Sequence, residues 1–189
     1  MDIMQEIEIM FANINKDEIR AKLKSIGARL KTPEYRQFRI IFDLIKPEPN
    51  KWIRVRDEGD KITLAYKEAG RKLEEQKEVE IFVDSFEKTV EFLKATGHQV
   101  RSIEETKREK WVLGGVEITI DTWPFLEPVL EIEGESQELI QKVSEKLGFD
   151  YEKGYFCTAN VLYKEVYGKY IEELPVEKRI LRFDSQNPF

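Results

Sequence analysis

Three stretches of this chain share one pattern of apolar and polar positions. In Glu6-Ile7-Glu8, Glu78-Val79-Glu80 and Glu131-Ile132-Glu133 two glutamates flank a branched apolar residue. Side chains two apart on a strand point to the same face, so each stretch predicts a strand with paired carboxylates on one surface and an apolar residue on the other. A helical pattern follows each time. After a strand near residues 4–12, Asn15 is a predicted N-cap, with Asp17 and Glu18 in the first turn, Ile19, Leu23 and Ile26 at helical spacing, and Gly27 as the stop. After a strand near 75–83, Asp84 and Glu87 form a predicted capping box ahead of Phe86, Val90, Leu93 and Gly97. After a strand near 127–134, Ser136 precedes Leu139, Val143, Leu147 and Gly148.

Between these units the pattern shortens to period two. Lys51–Asp57 leads through Glu58-Gly59-Asp60-Lys61 into Ile62–Lys67, and Arg101–Leu113 leads through Gly114-Gly115 into Val116–Asp121, both predicted hairpins. With a strand over Arg36–Asp43, the pattern gives about eight strands and three helices, followed by a C-terminal helix near 158–170. The predicted class is α+β, an eight-stranded, mostly antiparallel sheet with helices packed outside it. Residues 1–171 form the predicted domain. The tail over 172–189, with Pro175 and Pro188 and no apolar period, is expected to be extended or poorly ordered, or to pack on the sheet or a partner.

Composition narrows the chemistry. With 189 residues, one domain is favoured, and 36% of them are charged against about 25% in an ordinary globular chain. Net charge is −6, which argues against general nucleic-acid binding through phosphate contacts. A single Cys157 and a single His98 exclude an internal disulfide and a Cys/His zinc set, leaving any metal to carboxylates, a choice that suits hard divalent ions. No apolar run approaches the about 18 residues a membrane span needs, and the N-terminus has no leader pattern, so no membrane partner and a cytoplasmic protein are expected.

The other strands carry matching bases. Arg54 and Arg56 lie two apart, as do Arg108 and Lys110; Lys67 ends its strand, and Asp121 shares a face with Glu117 and Thr119. The intervening Ile53, Val55, Ile118, Ile120, Val129 and Ile132 supply the opposite, apolar face. Acids clustered on some strands and bases on others predict a polar-lined barrel or tunnel that takes a polyanion, bases on its oxygens and carboxylates on bridging metal ions. An ordinary solvated face laced with cross-strand ion pairs is the plainer alternative.

Taken in order, Glu6-Ile7-Glu8-Ile9-Met10-Phe11, Trp52-Ile53-Arg54-Val55-Arg56-Asp57-Glu58-Gly59, Lys107–Ile118, Ile120–Pro128 and Leu130-Glu131-Ile132-Glu133-Gly134 resemble the CYTH superfamily of triphosphate tunnel enzymes. That family includes class IV adenylate cyclases, thiamine triphosphatases and inorganic tripolyphosphatases. The resemblance covers nearly all of residues 4–170 and implies a closed eight-stranded tunnel that binds a triphosphate with Mg²⁺ or Mn²⁺. It implies metal ligands among Glu6, Glu8, Asp121, Glu131 and Glu133. Arg54, Arg56, Lys67, Arg108 and Lys110 would grip phosphate, with Glu78 and Glu80 holding basic side chains in place or contributing to a second metal. Glu6, Glu8, Arg56, Lys67 and Arg108 would be catalytic. Family analogy also suggests a homodimer.

The expected activity is adenylate cyclase-like conversion of ATP to cyclic AMP and pyrophosphate; hydrolysis of inorganic or thiamine-type triphosphate is the alternative. Two positions depart from the family pattern. Met10 stands where the ExExK motif has lysine, and Thr106 where a lysine usually precedes Arg108 by two residues. Each change removes a cation whose contact would contribute about 1.5–3 kcal/mol. A triphosphate-binding protein with weakened turnover is therefore a third reading.

Overall fold

The structure, a computed structural model, describes residues 7–48, 50–69, 77–156 and 158–189. In chain order its elements are β1 (Ile7–Phe11), α1 (Lys16–Ser25), β2 (Arg29–Phe42), β3 (Lys51–Asp57), β4 (Ile62–Glu68), β5 (Lys77–Val83) and α2 (Phe86–Ala95). Then follow β6 (Val100–Leu113), β7 (Val116–Thr122), β8 (Val129–Gly134), α3 (Gln137–Lys146), α4 (Asn160–Tyr167) and β9 (Ile180–Leu181). The chain forms two compact units, Met1–Tyr35 with Lys107–Leu162, and Arg36–Thr106 with Tyr163–Phe189, so β2 and β6 each contribute one part to either unit. Among the described residues no helix is long and apolar enough to cross a membrane.

In the first unit the strands run β1-β8-β7-β6, and every ladder is antiparallel. Ile9, Phe11, Ile118, Ile120, Leu130 and Ile132 make one buried face, closed by Ile19 and Leu23 of α1 and Ile140, Val143 and Leu147 of α3. Each such side chain contributes about 1.5–3 kcal/mol on burial, which is what holds helices this short. Their ends are set locally. The Asn15 side-chain oxygen accepts from Asp17 N and Glu18 N at 3.0 and 3.2 Å, and Ser136 Oγ from Leu139 N at 3.3 Å.

A backbone pair joins β1 to the segment after α3: Met10 N donates to Tyr155 O at 2.9 Å, and Tyr155 N to Met10 O at 2.8 Å. That approach needs Gly154, since a β-carbon there would overlap the Ile9 side chain.

In the second unit the order is β6-β2-β3-β4-β5. Phe38, Ile40, Phe42, Ile53, Val55 and Leu64 pack against Phe86, Val90 and Leu93 of α2. The cap of α2 is Ser85, whose Oγ accepts from Lys88 N at 3.2 Å, rather than the expected Asp84. Strand β2 begins at Arg29, earlier than the expected Arg36, because Arg29–Tyr35 is a largely exposed ladder segment with Pro33 and charged residues and so carries no apolar alternation.

The C-terminal region differs most from the sequence reading. The expected helix over 158–170 is limited to α4, and the tail is built rather than loose. Short 3₁₀ turns at Ile171–Glu173 and Val176–Lys178 lead to β9, which pairs parallel to β6 through Ile103↔Ile180 and Glu104↔Leu181. Leu174 and Leu181 are buried, and the Phe189 ring stacks on Tyr163 and Tyr167 at 5.1 and 4.6 Å. Such burial follows the other expectation for the tail, that it packs on the sheet.

Candidate functional site

Opposite its apolar side, each unit carries a polar face. In the first unit the register places Glu8 opposite Glu133, Met10 opposite Glu131, Glu133 opposite Glu117, Glu131 opposite Thr119, and Asp121 opposite Arg108. Directly paired residues share a face, so β1, β8, β7 and β6 turn Glu8, Glu131, Glu133, Glu117, Asp121, Arg108 and Lys110 the same way.

Arg108 is the hub of this face. Its Nε donates to both carboxylate oxygens of Asp121, at 2.8 and 3.1 Å, and its Nη2 reaches Asp121 again and Glu131 Oε2 at 2.6 Å. Thr119 Oγ1 also donates to Glu131, at 3.3 Å. Burial alone would lower the Arg108 pKa, but the charges of Asp121 and Glu131 outweigh it and hold the value well above the ordinary one. Glu117 is shared by Lys31 at 2.8 Å and Lys110 at 3.2 Å. Burial raises its pKa, and the two lysines more than reverse that.

The second unit carries the larger set of bases. Arg54 Nη2 donates to Glu78 at 3.0 Å and Glu80 at 2.8 Å; Arg56 Nη2 lies 2.7 Å from Glu58 and 3.4 Å from Glu80; Lys67 Nζ lies 2.9 Å from Glu78. Burial pushes the Glu78 pKa up, while Lys67 and Arg54 pull it below the ordinary range. The middle glutamate pair is thus ion-paired with Arg54, Arg56 and Lys67.

Each expected residue except Glu6 therefore has a place. Glu8, Arg108, Lys110, Asp121, Glu131 and Glu133 share the polar face of the first unit, and Arg54, Arg56, Lys67, Glu78 and Glu80 that of the second. Glu6 lies outside the described residues.

Oxygen-only donors suit Mg²⁺ or Mn²⁺, and Mg²⁺ is commonly held by one or two carboxylates plus substrate phosphates. The opposed Glu8 and Glu133 fit that requirement, since like charges placed directly opposite favour a shared cation. Among the described residues no three or more acids already converge as a ligand set, and Asp121 and Glu131 are engaged by Arg108.

Sequence reasoning passed over a second polar cluster in the second unit. Arg39 Nη2 donates to Gln37 Oε1 at 2.9 Å and to Thr106 Oγ1 at 2.6 Å, so a guanidinium from β2 sits beside one of the positions where the family's lysine is missing. Glu104 lies near Arg39, accepts from Ser102 Oγ at 2.6 Å, and has its pKa raised by burial. The alternation Gln37, Arg39, Ile41 against Phe38, Ile40, Phe42 was the available signal.

Comparison with known proteins fixes the class. The chain matches the CYTH domain over residues 4–160 and belongs to that family. A search of curated proteins finds no match. Among solved structures, a Pyrococcus horikoshii OT3 protein is 26% identical, covering 81% of this chain and 96% of its own, with a TM-score of 0.71. A candidate adenylate cyclase from Vibrio parahaemolyticus is 13% identical over 88% of this chain and 99% of its own, with a TM-score of 0.72. A candidate adenylyl cyclase from Hippeastrum, described as having a dominant triphosphatase activity, is 15% identical over 91% and 99%, with a TM-score of 0.57. The last two share the fold with this chain.

Proposed function

We propose that this chain is a metal-dependent triphosphate-processing enzyme of the class IV adenylate cyclase type, converting ATP to cyclic AMP and pyrophosphate. The observation carrying this reading is the set Arg54, Arg56 and Lys67, each buried or half-buried on one face and each held in place by carboxylates. Such side chains meet an incoming polyanion without first being ordered, so charge developing on the phosphates is stabilised by donors already in position.

In this reading Arg54, Arg56 and Lys67 bind non-bridging phosphate oxygens, with Glu78 and Glu80 fixing their rotamers. Arg108, oriented by Asp121 and Glu131, and Lys110 are the phosphate-binding bases on the polar face of the first unit. A bound Mg²⁺ or Mn²⁺, held by Glu8 and Glu133 with Glu6, would lower the pKa of the attacking hydroxyl and neutralise the leaving pyrophosphate. Cyclisation uses the ribose 3′-hydroxyl as nucleophile and hydrolysis uses water; the phosphate-binding residues are the same for both. A cytoplasmic homodimer without nucleic-acid or membrane partners goes with this proposal.

Met10 favours a second reading, a binding protein with reduced turnover. It is buried, 1% exposed, and stands opposite Glu131, where a lysine would have supplied a cation. Incubation of the purified protein with ATP, tripolyphosphate or thiamine triphosphate, each with Mn²⁺ or Mg²⁺, separates the cases. Cyclic AMP is the expected product. Phosphate release without cyclic AMP replaces cyclisation by hydrolysis. Binding without turnover, together with a gain of activity in Met10→Lys, selects the second reading, and absence of binding to every triphosphate overturns both.

A further inference from the structure

On the face of its sheet opposite Arg54 and Arg56, the second unit carries an open groove of about 480 Å³ beside α2. Phe86, which is buried, and the half-buried Phe38 and Val90 make its floor, the two rings lying 5.4 Å apart. Asp57, Glu87, Glu91 and Lys94 make its rim. On α2, Glu87, Val90, Glu91 and Lys94 recur at i, i+3, i+4 and i+7, so one flank of the helix faces the groove over about two turns. Across from that flank, Phe38 and Asp57 are directly opposed in the β2–β3 ladder and share the face of Val55 and Ile53.

Three acids stand against one base on this rim. Among the described residues no lysine or arginine lies within ion-pair distance of Asp57, Glu87 or Glu91, and Lys94 pairs with no acid, although Glu91 is only three residues away. Asp57 Oδ1 accepts from Gly59 N at 2.7 Å within the hairpin turn, and the Glu87 carboxylate meets Ser85 Oγ at 3.5 Å. Glu87 and Glu91 are four apart on the helix, a spacing at which like charges repel. An occupant that covers the floor and relieves this repulsion is apolar along one line and cationic along its edges.

We propose that this groove docks a basic amphipathic helix of another protein, with its apolar stripe on Phe38, Phe86 and Val90 and its lysines or arginines on Asp57, Glu87 and Glu91. An amphipathic helix laid into an apolar groove is a recurrent mode of recognition, and complementary charge at the rim steers the encounter and fixes the orientation. Lys94 repels a cation at the C-terminal end of α2, which sets the direction in which such a helix lies. A second copy of this chain, at net charge −6, brings mostly like charge to the same rim. None of the lining residues belongs to the phosphate-binding set, so the surface does not rest on the function proposed above.

The test reads fluorescence anisotropy of a labelled leucine–lysine peptide that forms an amphipathic helix, beside the same composition scrambled so that no apolar stripe forms. Glu91→Lys turns the repulsion from Glu87 into an attraction at the same spacing, so it is expected to melt at or above the wild-type temperature. It is also expected to bind the amphipathic peptide about tenfold more weakly, one exposed attraction being lost and replaced by a repulsion. Lys94→Glu is expected to bind about threefold more tightly, and Glu145→Lys, on the exposed side of α3, to bind as the wild type does. The scrambled peptide is expected to bind the wild type about tenfold more weakly than the amphipathic one.

Equal weakening by Glu91→Lys and Glu145→Lys would mean diffuse attraction between an acidic protein and a basic peptide, and the groove is then overturned. Equal affinity for the scrambled peptide overturns it too, as does the absence of saturable binding to the wild type. If Glu91→Lys loses its fold, the opposite sign expected of Lys94→Glu carries the test alone, and weaker binding by that variant sinks the proposal. If sedimentation shows that the wild type self-associates and that Glu91→Lys does not, the occupant is a second copy and the foreign helix is ruled out.

Discussion

At the scale of single residues, Asp121 has the sharpest consequence. It is fully buried and engages Arg108, which is itself mostly buried. Removing one partner of such a pair leaves a buried charge without compensation, a change that commonly costs about 3–5 kcal/mol. Asp121→Ala is therefore expected to lower unfolding free energy in urea by about that amount, with Glu131 retaining part of the interaction. A loss below about 1 kcal/mol would show that the Asp121 pairing is not what holds Arg108. The sequence made this pair visible as chemistry, since Arg108 and Asp121 stood at matching positions of a predicted hairpin. It did not show that the two bind each other, because whether a carboxylate faces a metal or a guanidinium depends on side-chain direction, which period alone leaves open.

At the scale of elements, the long periodic strands and the capped helices were legible because their signals are local. Asn15 and Ser136 start helices where expected, and Gly59 and Gly114-Gly115 turn the expected hairpins. Misplaced boundaries fell where tertiary contact decides. Asp84 lost the cap to Ser85, the exposed start of β2 had no apolar rhythm to read, and the tail's structure comes from pairing with distant β6. That pairing gives a stability prediction. Leu181 is fully buried, and large-to-small changes at such sites cost about 2–5 kcal/mol. Leu181→Ala should lose stability within that range, measured by urea denaturation, whereas a tail that merely rests on the surface would show a change within about 0.5 kcal/mol.

At the scale of the whole molecule, the many internal carboxylates set the response to pH. Glu109, bound by Arg20 at 2.7 Å and by Trp111 Nε1 at 2.7 Å, has a pKa that burial raises and these donors bring below the ordinary value. Glu78 and Glu117 are also lowered. A depressed native pKa contributes stability that is present above the unfolded value, about 4.3 for glutamate, and is lost as pH falls toward the native value. Glu104 acts in the opposite sense: its native pKa is raised, so its unfavourable contribution grows as pH rises past about 4.3. The expected profile is a steep loss of stability below about pH 4.3, with Glu104→Gln raising the melting temperature at neutral pH and leaving it unchanged at lower pH. A Glu104→Gln gain that did not vary with pH would contradict this assignment. The composition announced an excess of charge; only the register showed which carboxylates are stabilised and which are strained.

Strand β5 carries a consequence of another kind. Among the described residues it pairs with β4 alone, and Val79, Ile81 and Phe82 are all exposed on it. A short β-prone segment of this composition is a template for pairing with other chains, and charged residues within it are what natural proteins use to prevent that. Glu78 and Glu80 are those charges, as well as the groups that brace Arg54 and Lys67. Selection against aggregation would keep them in a relative that no longer handled any phosphate, so their retention across a lineage is not by itself a record of catalysis.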